Sequence, residues 1–380
     1  MPEVDDVVVV GAGLIGLAIA FELAERGAAV RVYDRGEPAR AASWAGAGML
    51  APYTERLSDE AMLSLAIASL REYPRFVERV EARSGIDAHL RLDGVFYAAF
   101  GEPALETMRD QAATLRSRGV ACELLDRTES LAIEPWLGAT LRGGIFKRGE
   151  GHVDNRRLGR ALSEACRSRG VRIERSANVA VECDDRRVLG VACDRGFVGA
   201  SAVVNACGAW AALLPGVPPW CVPAVVPIKG QMLALAMPAR MVRHATWVPG
   251  AYLVPRQDGR LLVGATVEAV GFDERITAEG QHELLHAALA AAPALRGLSI
   301  TEQWAGLRPG SPDDRPFIGP TPLDGYFLAT GHYRNGILLA PATARLVADA
   351  LESGSDAAVR PFLLARQGTE VARRNRITHV

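Results

Sequence analysis

The sequence predicts an α/β fold: a Rossmann-like domain assembled from non-contiguous segments, with an antiparallel β-rich domain inserted between them. Three observations carry this expectation. Residues 7–35 read VVVVGAGLIGLAIAFELAERGAAVRVYDR, a strand, a glycine turn, a helix and a second strand. Residues 328–339, LATGHYRNGILL, repeat the strand–turn–helix logic near the far end of the chain. Between them, the proline-rich stretch PGVPPWCVPAVVP at 215–227 precedes strand-like segments over 228–270, with turns such as Asp258-Gly259.

In the first unit, Gly11, Gly13 and Gly16 form G-x-G-x-x-G between a buried strand and a helix that runs to about Arg26. Gly11 serves the tight turn, Gly13 lets a pyrophosphate approach the backbone, and Gly16 lets helix and strand pack closely. Asp34 ends the second strand, where a carboxylate accepts hydrogen bonds from a ribose hydroxyl. The fingerprint alone leaves NAD and FAD both open. Residues 36–53 (GEPARAASWAGAGMLAPY) follow, suited either to a spacer or to wrapping a long cofactor with small residues.

A helix is expected from Leu57 to Arg83, kinked or divided at Pro74. Leu90–Phe100 and Thr140–Arg148 alternate like strands, with helix from about Ala104 to Arg118 between them. A second α/β unit begins at Gly151: Asp154 caps a helix Asn155–Arg169, Gly170 ends it, and strands at Val171–Glu174 and 202–206 follow. Ala278–Ala292 reads as a helix, Leu295–Trp304 as a strand and Gly306–Gly310 as a turn. A last strand, Tyr326–Thr330, enters a helix near Gly336 that runs to about Leu351. There is no internal repeat.

At 380 residues, 49% hydrophobic and 23% charged, the chain has room for two sizeable cores. A net charge of −1, with Lys147 and Lys229 as the only lysines, gives no reason to expect nucleic acid or an anionic membrane as partner. No apolar run reaches the ~18 residues of a membrane span. The lead residues Glu3, Asp5 and Asp6 are unlike a secretory signal, and six cysteines without C-x-x-C fit a reduced, cytoplasmic setting. The arginine-rich tail Ala372–Arg376 is expected to be solvated or frayed.

The corner at 331–338 offers oriented backbone N–H groups and a helix start, which favour developing negative charge such as that of a reduced flavin near N1 and the C2 carbonyl. The segments ASWAGAGMLAP (42–52), PIKGQ (227–231), YLVPR (252–256), WAGLRPGSPDDRPFIG (304–319) and GHYRNGILLAPATARL (331–346) resemble, in order and spacing, the glycine oxidases of thiamine biosynthesis. These belong to the D-amino-acid oxidase and sarcosine oxidase group of flavoproteins. The resemblance implies an FAD-binding domain over 1–85, 150–218 and 303–380, and a substrate domain over 86–149 and 219–302. It also implies oxidation of glycine and other small amines to glyoxylate, ammonia and hydrogen peroxide, with molecular oxygen as acceptor, in a homotetramer.

By the same resemblance, non-covalent FAD is held by Gly11, Gly13, Leu14, Ile15, Gly16, Asp34, Arg35, Ala42, Ser43, Ala47, Gly48, Met49, Val179 and Gly208, and by His332, Tyr333, Arg334, Asn335, Gly336, Ile337 and Leu338. Arg308 corresponds to the carboxylate-binding arginine, Tyr252 to its tyrosine partner and Arg334 to a second active-site arginine, with Met49 beside the substrate. Arginine's planar fork suits a carboxylate. Without the resemblance, Arg308 reads equally as a surface partner of Asp313 or Asp314, and Tyr252 as ordinary sheet packing. No dedicated base is required, and His332 is expected to be a structural residue on the cofactor side.

Rivals remain within and beyond the family. A related sarcosine or D-amino-acid oxidase, an FAD-dependent dehydrogenase, or a non-catalytic flavin-binding subunit would share much of the pattern. Relatives with covalent FAD use a cysteine in the segment matching 304–316, where this chain has none, and Lys229 does not match the lysine that activates oxygen there. His282-Glu-Leu-Leu-His286 is literally H-E-x-x-H, but residues 287–292 lack the continuation of a zinc protease, and Glu302 is the sole nearby downstream acid. The two histidines are therefore expected to be a polar helix face, with no metal bound.

Overall fold

A computed structural model describes residues 4–55, 59–238 and 241–367. Glu3, Leu57 as the expected start of a helix, and the tail 372–376 lie outside the described residues.

The valine run forms β1 (Val4–Val10), the glycine turn leads into α1 (Leu14–Glu25), and β2 (Val30–Asp34) follows. β1 lies inside an eight-stranded sheet whose main path runs Phe317–Pro320, Tyr326–Thr330, Gly196–Asn205, β1, β2, Arg172–Arg175, with Val188–Cys193 and Ala180–Cys183 branching antiparallel from Gly196–Asn205. From Tyr326–Thr330 to Arg172–Arg175 every pairing along this path is parallel. A parallel strand covered on both faces favours a continuous apolar run, which explains the uninterrupted valines: Val7 to Val10 are all at most 6% exposed. Four helices, α1, Glu60–Ser84, Asn155–Ser168 and Gly336–Ser353, share one hydrophobic core with this sheet. The carboxyl ends of the parallel strands, at Val10, Asp34, Asn205 and Thr330, all point to one edge, where open α/β sheets bind ligands.

A second eight-stranded sheet runs Ile300–Gly310, Val226–Ala236, Arg260–Gly264, Ala251–Pro255, Ala245–Val248, Val95–Phe100, Leu141–Lys147, Cys122–Asp126. Its pairings are antiparallel except where Ala245–Val248 lies parallel to Val95–Phe100. No hairpin joins those two strands, so turn geometry does not fix their relative direction. The helix Ala278–Ala291 packs against this sheet.

Several local expectations shift. Pro74 does not divide its helix, which runs unbroken from Glu60 to Ser84 with Tyr73 and Phe76 buried on either side of it. The strand expected from Leu90 starts at Val95, and the one expected over 295–304 starts at Ile300 after a short 3-10 turn at Pro293–Gly297. Residues 306–310 are not a turn but the end of that strand. It is an edge strand, where a proline's missing donor costs little, and Gly306 is small because a Cβ there would come within 2.4 Å of the Cβ of Ala45. Among the described residues, no helix is long and apolar enough to cross a membrane.

Candidate active site

Two cavities open along the carboxyl edge of the first sheet. One, of about 720 Å³, is lined by Gly11, Asp34, Arg35, Val179 and Trp210; the other, of about 160 Å³, by Met49, Tyr252, Arg308, His332 and Arg334. Gly13, Ala42, Ser43, Ala206 and Gly208 line both, so the two form one elongated cleft with the start of α1 at its middle.

The glycine turn is packed as its residue types require. A Cβ on Gly11, whose φ is +110°, would meet the Ala206 carbonyl oxygen at 2.3 Å, and one on Gly16 would meet the Gly11 oxygen at 1.9 Å. Gly13 faces the cleft, where a Cβ would find only the Ser43 Oγ, at 3.3 Å. The Leu14 N–H donates to that hydroxyl oxygen (2.9 Å), leaving the hydroxyl proton available to a phosphate. Asp34 accepts from the N–H groups of Ala12 (2.7 Å) and Gly36 (2.8 Å), one on each carboxylate oxygen, and each oxygen keeps a lone pair for a ribose hydroxyl. Acid at one end, helix N-terminus in the middle and a narrow slot at the other match the parts of an FAD molecule in order.

At the slot end, Arg308 lies on the edge strand with its guanidinium across Gly230, where a Cβ would come within 2.3 Å of both terminal nitrogens. Its Nη1 donates to the carbonyls of Lys229 (3.2 Å) and Thr266 (3.0 Å). The surface reading fails: Asp313 pairs with Arg366 at 2.8 Å, and Arg308 points into the cavity. Tyr252 stands beside it on the strand Ala251–Pro255, its hydroxyl 3.4 Å from the Met232 sulfur. Burial raises the phenol above its ordinary range against the opposing pull of Arg308, which keeps it protonated and able to donate.

Arg334 is placed differently. Its Nη2 is 3.2 Å from Glu55, and its guanidinium lies 5.9 Å from the Trp247 ring centre. Burial raises the Glu55 carboxyl, with Arg334 pulling the other way. Glu55 lines the cavity, and no motif in the sequence marks it. It follows directly on Thr54, whose hydroxyl and N–H bond the buried Glu150 (2.5 and 3.1 Å) and whose Oγ1 accepts from Lys147 (2.9 Å). Only proximity to the Gly/Ala-rich segment could have drawn attention to it.

Of the corner at 332–338, His332, Tyr333, Arg334, Gly336 and Ile337 line the slot, whereas Asn335 and Leu338 line neither cavity. Leu338 is buried in the helical core, its carbonyl accepting from Ser69 Oγ at 2.6 Å. His332 is 2% exposed, bonds Thr343 through Nε2 at 3.0 Å, and is pushed down to about 3 by burial, so it is neutral. Leu14, Ile15, Ala47 and Gly48 line the slot too; Gly16 packs behind the turn. Lys229 meets Arg308 through its carbonyl alone; its buried Nζ is engaged 2.7 Å from Glu268 and 3.2 Å from the Arg275 carbonyl. Cys207 is on the wall of the larger cavity, its thiol pushed up to about 12 by burial and donating to the Val10 carbonyl at 3.3 Å. His282 and His286 are exposed with ring centres 5.9 Å apart, and the described residues contain no group of three or more metal-ligating side chains.

The chain has relatives among known proteins. The chain is 40% identical to the bifunctional protein ThiO/ThiG of Synechocystis sp. over 92% of its own length, but spans only 52% of that protein. It is 38% identical to the glycine oxidase of Pseudomonas aeruginosa, covering 95% of this chain and 98% of the relative. The crystal structure of glycine oxidase from Geobacillus kaustophilus superimposes with a TM-score of 0.90 at 34% identity, covering 95% of this chain and 98% of that one. The profile described as DAO, FAD dependent oxidoreductase, matches residues 6–350. The chain belongs to the FAD dependent oxidoreductases of this DAO family.

Proposed function

We propose that the protein oxidises glycine and other small primary or secondary amines to the imine, which water hydrolyses (for glycine, to glyoxylate and ammonia), with oxygen reduced to hydrogen peroxide. The observation that carries the proposal is Arg308: a guanidinium in the slot, held by two neutral carbonyls and flanked by a protonated phenol. A small amino acid offers little to grip besides its carboxylate, and this pair supplies a bidentate cation with a neutral donor beside it. Arg334 is engaged by Glu55 at 3.2 Å, whereas carbonyls hold Arg308, so Arg308 sets the orientation. Met49, Met232 and Val267 close in around the same space, favouring small substrates and excluding water. When bound, FAD supplies the two-electron sink and passes the electrons to oxygen. The amine must lose its proton to be oxidised, and no side chain is assigned to take it.

A place in thiamine biosynthesis is part of this reading and rests on likeness to the bifunctional protein, of which the chain covers about half. Cytoplasmic location and a homotetramer are parts of it as well, and light scattering on the holoenzyme tests the latter. The deciding experiment is peroxide release from glycine, sarcosine, N-ethylglycine, D-alanine and D-proline. Glycine or sarcosine should rank first. If all five are inert in oxygen but reduce an artificial acceptor, the protein is a dehydrogenase.

A further inference from the structure

The wall of the slot formed by residues 42–48 is held in an unusual way. Five of its backbone carbonyls, those of Ser43, Trp44, Ala45, Ala47 and Gly48, are engaged by groups from other elements. Ser43 and Trp44 accept from the Asn155 Nδ2 (2.8 and 3.1 Å), Ala45 from the Trp304 Nε1 (2.9 Å), and Gly48 from the Val153 N–H (2.9 Å). Ala47 accepts from Arg256 Nη2 at 3.0 Å. These five acceptor oxygens are therefore taken up by the protein, and the segment offers the cavity Ala42, Ala45, Gly46, Ala47 and Gly48.

Arg256 closes the YLVPR segment, whose Tyr252 faces the slot, and it is itself 5% exposed. Besides Ala47, its guanidinium donates to Asn155 Oδ1 (2.8 Å), the Val153 carbonyl (3.1 Å) and His152 Nδ1 (3.1 Å). All four acceptors are neutral. Burial keeps His152 well below its usual range, so it receives a hydrogen bond and carries no charge. Burial pulls the Arg256 guanidinium down to about 10, which leaves it charged at neutral pH, and Asp154 and Asp258 attract it from farther away. A Cβ at Gly48 would sit 3.4 Å from Arg256 Nη2, so this cation lies directly behind the cavity wall. Asn155 is 1% exposed and ties both parts together, one end of its amide on the segment and the other on Arg256.

We propose that Arg256, through Asn155 and the 42–48 backbone, is a positioning residue for the flavin: it turns the wall's carbonyls outward and places a positive charge behind the ring. The proposal rests on the family's cofactor being seated in the slot. With FAD seated there, carbonyls turned from the slot would leave no repulsion with ring oxygens, and a buried cation behind the wall would favour the reduced, more negative flavin.

The test compares wild type, Arg256→Met and Arg256→Lys as apoprotein titrated with FAD and as holoenzyme in a potentiometric titration. Arg256→Met should raise the FAD dissociation constant about tenfold or more, the loss of roughly one charged hydrogen bond, and lower the flavin midpoint potential. Arg256→Lys keeps the charge but cannot span four acceptors, so its FAD affinity should fall while its potential stays near wild type. Wild-type affinity in the lysine variant overturns the positioning role even if the methionine variant does not fold. Equal potentials in wild type and Arg256→Met overturn the charge effect. If the wild-type apoprotein takes up no FAD, it is the cofactor reading that fails, which separates the two.

Discussion

Arg308 keeps its charge for a ligand because carbonyls, and not carboxylates, hold it in place. Arg308→Ala should therefore raise the KM for glycine by about 100-fold or more, as expected for losing a bidentate charged pair worth ~3 kcal/mol. The flavin absorbance of the holoenzyme should be retained; unchanged steady-state KM on glycine would remove Arg308 from the substrate site. His332 leads to a prediction of a different kind. It is buried and neutral down to about 3, whereas the unfolded chain takes up a proton at about 6.5. Between those values the unfolded state binds more protons, so stability is lost as pH falls through this window and is fully present above it. The melting temperature of wild type should drop on acidification below pH ~6.5, and His332→Asn should drop less steeply; parallel curves would show that burial of His332 is not what the protein feels. Residues of this kind differ in how far they could be read from the chain alone. Arg308 and Tyr252 stand in distinctive segments, while Glu55 is a lone acid whose place beside Arg334 arises from folding the 51–55 segment over the cavity. Nothing in its neighbours' residue types encodes that.

Among the elements, β1, α1 and β2 were the most legible because each residue type had a local reason. A valine run suits a strand covered on both faces, and a glycine at each tight approach leaves room for backbone. Gly16→Ala should therefore destabilise the fold by about 1–3 kcal/mol through forced separation of α1 from β1, read as a shift in the denaturation midpoint. Gly13→Ala, with only the Ser43 hydroxyl nearby, should leave the midpoint almost unchanged and weaken FAD binding instead. The opposite pattern in the two variants would mean that the turn's glycines have been assigned the wrong way round. Local rules were weaker where tertiary contacts decide. Gly306 and Pro309 read as turn residues, yet they sit in an edge strand paired along Val226–Ala236, where a missing donor is harmless and a small residue is required. Pro74 likewise did not break a helix whose apolar face continues past it from Tyr73 to Val80.

At the scale of the whole molecule, chemistry depends on bringing elements of the two sheets to one cleft, and this is what the linear order shows least. The joint can be named. Trp44 beside the cofactor wall meets Trp304 of the second sheet edge-on, with ring centres 5.9 Å apart, and the Arg156 guanidinium lies 3.6 Å from the first ring centre and 4.7 Å from the second. Arg156 also pairs with Glu302 at 2.8 Å, so one side chain of the helix Asn155–Ser168 grips an aromatic pair and an acid of the strand that bears Arg308. Cation–ring contacts with a half-buried ion pair should contribute about 1–3 kcal/mol. Arg156→Ala is expected to lower the melting temperature and to speed FAD release from the holoenzyme, because the rings adjoin the segment that lines both cavities. Arg275→Ala is the control: its pair with Asp273 is on the surface, the arginine side chain 86% exposed, and its removal should change neither quantity. If Arg156→Ala melts and releases FAD as wild type does, the sheets are held together by their other contacts and the aromatic joint is incidental to the site.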